Sequence, residues 1–179
     1  MRPRSGAGSD AKLVQRAQAG DAEALEELFR RHWPAAHRAA FLVVHDACAA
    51  EDIAQEAFLA AVRALDRFDR RRPFAPWLHR IAVNRAIDFA RARALRREVG
   101  AELAVHRAAI AAADGWSDAV VPALAALEPE HRAVVVLRYL LEYTPGEIAR
   151  LLDLPRGTVN SRLRRALDRL AVPLEGERP

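Results

Sequence analysis

Six side chains near the carboxyl end, Thr158, Asn160, Ser161, Arg162, Arg164 and Arg165, fall within about two turns of one predicted helix. They bring together an amide, two hydroxyls and three guanidinium groups, with no nucleophile beside a base. Such a set recognises a partner rather than reacts with one. Arg164 and Arg165 can each grip a guanine edge with two donors, and Asn160 and Ser161 suit other base edges. Thr158 and Arg162 suit phosphate oxygens, which fix register without reading sequence.

The surrounding string, TPGEIARLLDLPRGTVNSRLRRALDRL from Thr144 to Leu170, explains how those groups are held. Thr144 followed three residues later by Glu147 is a capping box, and Pro145 stands at the first helical position, where its missing N–H costs nothing. Ile148, Ala149 and Leu152 form a first apolar stripe; Asp153 to Gly157 supplies a turn. Val159, Leu163, Ala166 and Leu170 form a second stripe, which leaves Asn160, Ser161, Arg164, Arg165 and Asp168 on the outer face. This is a helix-turn-helix pattern that offers its second helix to a DNA major groove.

A second basic block lies upstream. Residues 61–100 hold eleven arginines against four acids, a local balance of +7, whereas residues 21–60 hold three against eight, a balance of −5. Residues 154–170 return to +4. Separate basic blocks predict two anionic contacts, and the acidic stretch predicts a surface for a protein partner. Asp52, Gln55 and Glu56 cluster within one turn of a strongly amphipathic helix, so one face presents carboxylates and an amide together.

Composition narrows the alternatives. The chain has 179 residues, 51% of them hydrophobic, with eight glycines, which fits a helix-rich protein of one domain or two small ones. A single cysteine, Cys48, rules out an internal disulfide or a thiolate cage and suits a reducing compartment. No apolar run approaches the roughly 20 residues of a membrane helix, and MRPRSGAGSD lacks the apolar core of a signal peptide. The expectation is a cytoplasmic protein without membrane insertion. His32, His37, His45, His79, His106 and His131 form no i, i+4 pair, so neither a metal site nor another cofactor is expected. With no glycine-rich phosphate loop or catalytic cluster, the reading is not an enzyme and implies no small-molecule substrate.

Element by element the chain reads all-α, as two small helical modules joined by a linker. Residues 1–9 form a lead-in, 10–97 the first module, 98–116 the linker, 117–172 the second module and 173–179 a tail. Asp10 is expected to cap a short helix ending at Gly20, and Asp21 a long one kinked at Pro34. Asp46 is expected to cap a third helix carrying Ile53, Ala54, Ala57, Phe58, Ala61, Val62 and Leu65 inward. The polar loop Asp66 to Pro73 ends where Phe74 restarts a helix, with Phe74, Trp77, Leu78, Ile81 and Phe89 toward the core. Asp118 opens the second module, whose next break is Glu128-Pro129.

With these strings in place, the chain resembles the extracytoplasmic-function (ECF) sigma factors of bacterial RNA polymerase, within the main sigma family. LVQRAQAGDAEALEELFRRH is similar to the family's opening helices, and AAEDIAQEAFLAA to the part of sigma region two that docks on polymerase. FAPWLHRIAVNRAIDFARARALRRE is similar to the part that opens and reads the minus-ten element, and the helix-turn-helix to sigma region four, which reads the minus-thirty-five element. The resemblance implies a region-two helical bundle and a region-four helix-turn-helix, with core RNA polymerase, duplex promoter DNA and a melted strand as partners. It further implies that relatives are often restrained by an anti-sigma factor, and that the protein joins the nucleoid when bound to polymerase.

Under that resemblance, Asp52, Gln55 and Glu56 meet the polymerase clamp. Arg70, Arg71, Arg72, Arg80, Arg85, Arg91 and Arg93 supply a cationic track for the melted strand, with Asn84 for base-edge contact. Two positions depart from the family pattern. Relatives usually carry a basic residue where Asn160 stands, so this position loses a phosphate anchor or reads an adenine; Glu128-Pro129 replaces a leucine-proline. The alternative from another class is a dimeric helix-turn-helix regulator that binds a palindromic duplex without polymerase.

Overall fold

The computed structural model describes residues 6–98 and 120–175. Among them the chain forms eight α-helices: α1 (Gly6–Gln18), α2 (Ala22–Val44), α3 (Ala47–Ala64), α4 (Phe74–Glu98), α5 (Val120–Ala125), α6 (Pro129–Val135), α7 (Pro145–Leu152) and α8 (Arg156–Glu175). A 3-10 turn, Leu65–Arg67, follows α3, and a π turn, Val136–Leu140, prolongs α6. Asp118, residues 99–116 of the expected linker, residues 1–5 and residues 176–179 lie outside the described residues, whereas residues 6–9 of the expected lead-in belong to α1 and residues 173–175 of the expected tail to α8.

Local chemistry sets the helix ends. Asp21 accepts the Ala24 N–H at 3.1 Å and Asp46 accepts the Ala49 N–H at 3.1 Å, so both act as N-caps for α2 and α3. The Thr144–Glu147 capping box closes in both directions at the start of α7. α2 runs unbroken through Pro34. Asp10 differs from expectation: it lies inside α1, buried, with His32 Nε2 at 3.1 Å and Arg31 at 3.4 Å. Arg31 and His32 of α2 hold that carboxylate from across the bundle, and α1 starts at Gly6.

Two apolar clusters organise the helices. One lies within α1–α4 and contains Leu13, Leu28, Phe58, Phe68, Phe74 and Leu78, with Trp77 packed at its edge 4.4 Å from the Phe68 ring. The other crosses between the modules. Val43, Ile53, Val83 and Ile87 share it with Leu124, Val134, Leu137, Ile148, Val159 and Leu163. The two modules therefore pack on one another rather than hanging as separate bodies.

Polar ties fix the register of that contact. Arg132 of α6 is buried and donates to the carbonyls of Leu124 (2.8 Å), Ala125 (2.9 Å) and Leu127 (2.7 Å) within its own module, and to Val43 O at the end of α2. Tyr143 Oη meets His79 Nδ1 at 2.8 Å, and Arg91 Nε reaches Glu130 at 2.5 Å. Each fully buried Val or Leu is worth about 1.5–3 kcal/mol, against about 0–1 kcal/mol for an exposed ion pair. Apolar burial holds the modules together, and the polar ties select the register.

Candidate nucleic-acid interface

The recognition-helix expectation meets its geometry in α8. Val159, Leu163, Ala166 and Leu170 are all buried, so the stripe turns the opposite face outward. Asn160, Ser161, Arg164 and Arg165 are exposed there, while Thr158 and Arg162 are half-buried at its margin. The Ser161 hydroxyl donates to the Thr158 carbonyl at 2.9 Å, which leaves it able to accept but not to donate outward. On α7 the buried residues are Ile148 and Leu151, whereas Leu152 is only half-buried, a shift of one position from the expected stripe.

The upstream block divides into free and engaged cations. The Asp69 carboxylate accepts the Arg71 N–H at 3.0 Å and its carbonyl accepts the Arg72 N–H at 2.9 Å, a turn that displays Arg70, Arg71 and Arg72 outward. Arg80 is exposed on α4, with Asn84 half-buried one turn on. Arg85 stands 3.6 Å from Glu56. Arg93 is tied to Asp46 at 3.2 Å and Arg91, still exposed, to Glu130. Their partners are distant in sequence, which is why the pairing is invisible there.

A groove of about 630 Å³ runs between α4 and α7. Arg72, Trp77, Arg80 and Asn84 line one wall and Tyr143 and Arg150 the other. Tyr143 arrives there by a tight reversal: Glu142 takes a left-handed φ of 56°, and the Tyr143 N–H closes on Leu137 O at 3.0 Å behind the π turn. No periodicity in the sequence announces such a reversal.

On α3 the acidic face stands clear of the core, with Asp52, Gln55 and Glu56 all exposed. Leu59 and Val62 are exposed beside them, at 48% and 39%. Val62 thus points outward, not inward as its sequence pattern suggested, and the face is acidic and apolar together. Leu59, three and four residues past Glu56 and Gln55, was detectable from helical spacing alone.

Electrostatics follow from burial. Burial pushes the Arg132 guanidinium down to about 10, which leaves it cationic at neutral pH. Burial lowers His45 to about 3, helped by Arg132 and Arg93, and lowers His79 to about 4, helped by His32. Among the described residues no cluster of three or more His, Cys, Asp or Glu is placed to hold a metal ion. No described helix is long and apolar enough to cross a membrane.

Known proteins share both halves. The sequence model for Sigma-70 region 2 matches residues 28–96, and that for Sigma-70, region 4 matches residues 117–170. The ECF RNA polymerase sigma factor SigM of Mycobacterium tuberculosis is 38% identical over 168 residues, covering 91% of this chain and 83% of SigM. SigW of Bacillus subtilis, also an ECF RNA polymerase sigma factor, is 30% identical over 178 residues, covering 91% of this chain and 95% of SigW. Among solved structures, CnrH in complex with the cytosolic domain of CnrY superposes with a TM-score of 0.71 at 31% identity, over 94% of this chain and 99% of CnrH. These likenesses favour the polymerase-dependent reading over a free-standing dimeric regulator. The outward face of α8, the arginine-bearing α4 and the matches at both ends of the chain lead to one conclusion: this protein belongs to the ECF sigma factors of RNA polymerase.

Proposed function

We propose that α8 reads duplex DNA at the minus-thirty-five element, that α4 with its preceding loop holds the unpaired minus-ten strand, and that the exposed face of α3 docks on core polymerase. The observation that carries the reading is the exposure of Asn160, Ser161, Arg164 and Arg165 above a buried stripe. Asn160 suits adenine, since its amide both donates and accepts, and Ser161 offers only lone pairs to a base amine. Arg164 and Arg165 suit guanine, and Thr158 and Arg162 suit phosphate. In the first module Arg70, Arg71, Arg72, Arg80 and Arg85 supply charge along the strand, with Arg91 and Arg93 joining the track when phosphate replaces their acid partners, and Asn84 a base-edge contact.

The protein performs no chemistry itself in this reading. It lends specificity to the polymerase, in the cytoplasm and on the nucleoid. CnrH is found with the cytosolic domain of CnrY, so a bound protein partner suits this chain too, and the family resemblance makes that partner an anti-sigma factor.

Charge reversal at Asp52 and Glu56 tests the docking face. Both carboxylates are exposed, so the double variant keeps its circular dichroism spectrum but no longer co-purifies with core polymerase. Undiminished co-purification places the docking face elsewhere.

A further inference from the structure

We propose that the open groove between α4 and α7 is a binding site for a small phosphorylated ligand, a nucleoside di- or triphosphate. Arginines from both modules grip its phosphates, and two fixed aromatic rings receive its base. This site is separate from the promoter-reading face of α8 and needs residues of the second module that the strand assignment does not use.

Charge is the first observation. Arg72 and Arg80 reach the groove from one side and Arg150 from the other. All three are exposed, and among the described residues none has a carboxylate within ion-pair distance. The two acids of the lining are committed elsewhere: Glu147 accepts the Thr144 N–H at 2.8 Å in the cap of α7, and Asp88 lies 3.9 Å from Arg91. Folding thus brings cations from distant stretches of the chain to one cleft, where they repel one another. An anion seated between them relieves that repulsion. Guanidinium forks suit a phosphate chain best, because each takes two oxygens at once.

Aromatic surface and size then narrow the ligand. Trp77 is half-buried, with the Phe68 ring at 4.4 Å and Phe74 edge-on at 5.7 Å, so its indole is held in place. Tyr143 is held by its hydroxyl on buried His79 at 2.8 Å. Both line the groove, and rings already fixed lose little freedom when a base stacks on them. Asn84, on the same wall as Arg80, offers a donor and an acceptor to a base edge. The space of about 630 Å³ falls within the ~300–1,000 Å³ usual for small-molecule sites. Bare phosphate would leave the rings unused. Because Arg80 and Asn84 are also assigned to the unpaired strand, a bound nucleotide competes with it; that consequence, unlike the site itself, rests on the strand assignment above.

Calorimetric titration of the full chain with ADP, GDP, adenosine and pyrophosphate tests the site. Each diphosphate is expected to bind at least about tenfold more tightly than adenosine or pyrophosphate. Arg150→Ala should weaken that binding at least about tenfold, whereas Arg164→Ala, on the open face of α8, should leave it within about twofold. Should alanine at 150 lower the melting midpoint, Arg150→Lys keeps the charge without the fork and should still weaken binding. No binding of either diphosphate at millimolar concentration overturns the site. Pyrophosphate as tight as ADP and GDP overturns the nucleotide, and equal losses from Arg150→Ala and Arg164→Ala overturn the location. Saturating ADP should also displace a labelled single strand. ADP that binds through Arg150 without displacing the strand removes Arg80 and Asn84 from the strand path and leaves the nucleotide site standing.

Discussion

The helices α4 and α8 carry much the same chemistry in opposite settings. Both place arginines and an asparagine on a face backed by a buried apolar stripe. On α8 the arginines of the outer face stand in solvent, whereas on α4 Arg91 and Arg93 are held by Glu130 and Asp46, and Asn84 looks across a groove at the second module. The difference teaches that composition marks a nucleic-acid surface but packing decides whether it is available. In the proposed reading, α8 meets duplex DNA and α4 an unpaired strand, which exists only after other steps have occurred.

The contrast breaks most severely at Arg132. Arg132→Met leaves carbonyls of Leu124, Ala125, Leu127 and Val43 without their donor, at about 1–3 kcal/mol for each one left buried and unpaired. Denaturant melting should show a loss of about 3 kcal/mol or more, and the second module should loosen first in hydrogen exchange. A loss below about 1 kcal/mol would mean that water replaces the guanidinium without difficulty.

Acid attacks the same junction. An unfolded histidine takes up its proton near 6.5, but His79 resists until about 4 and His45 until about 3. The unfolded chain therefore binds protons first, so stability is full above pH 6.5 and falls as the pH drops toward 4. Each histidine contributes up to ~1.4 kcal/mol per pH unit in that window. Denaturation midpoints at pH 7, 6 and 5 check the slope, and His79→Gln should reduce it by about half, leaving the His45 contribution. A flat profile between pH 7 and 5 would show that both rings protonate in place.

Smaller changes sharpen the contrast between the two helices. Arg165→Ala should cost about 1–3 kcal/mol of discrimination at one base pair, read from a panel of duplexes. Uniform weakening on every sequence would make Arg165 a phosphate contact. Asn84→Ala should reduce permanganate reactivity of the melted region while leaving closed-complex binding within twofold, or about 0.4 kcal/mol. Equal loss in both assays would remove Asn84 from the strand.

Features set by near neighbours were legible in the sequence. The caps at Asp21, Asp46 and Thr144, the restart at Phe74 and the buried stripe of α8 each depend on residues within a few positions. Features set by distant partners were not. Asp10 reads as a cap but is claimed by Arg31 and His32 of α2. Arg91 and Arg93 read as free charge but find acids 39 and 47 residues away. The reversal that aims Tyr143 at His79 needs a π turn and a left-handed Glu142, for which the sequence carries no periodic signal. The apolar cluster shared by both modules reads, residue by residue, as two separate cores.

Run-off transcription from fragmented genomic DNA, with core polymerase alone and with this chain added, tests the central claim most directly. The account predicts discrete start sites that appear only with the chain, each with a permanganate-reactive stretch upstream of the start. Transcripts unchanged by the chain, alongside tight binding of the chain to closed duplex without polymerase, would contradict it.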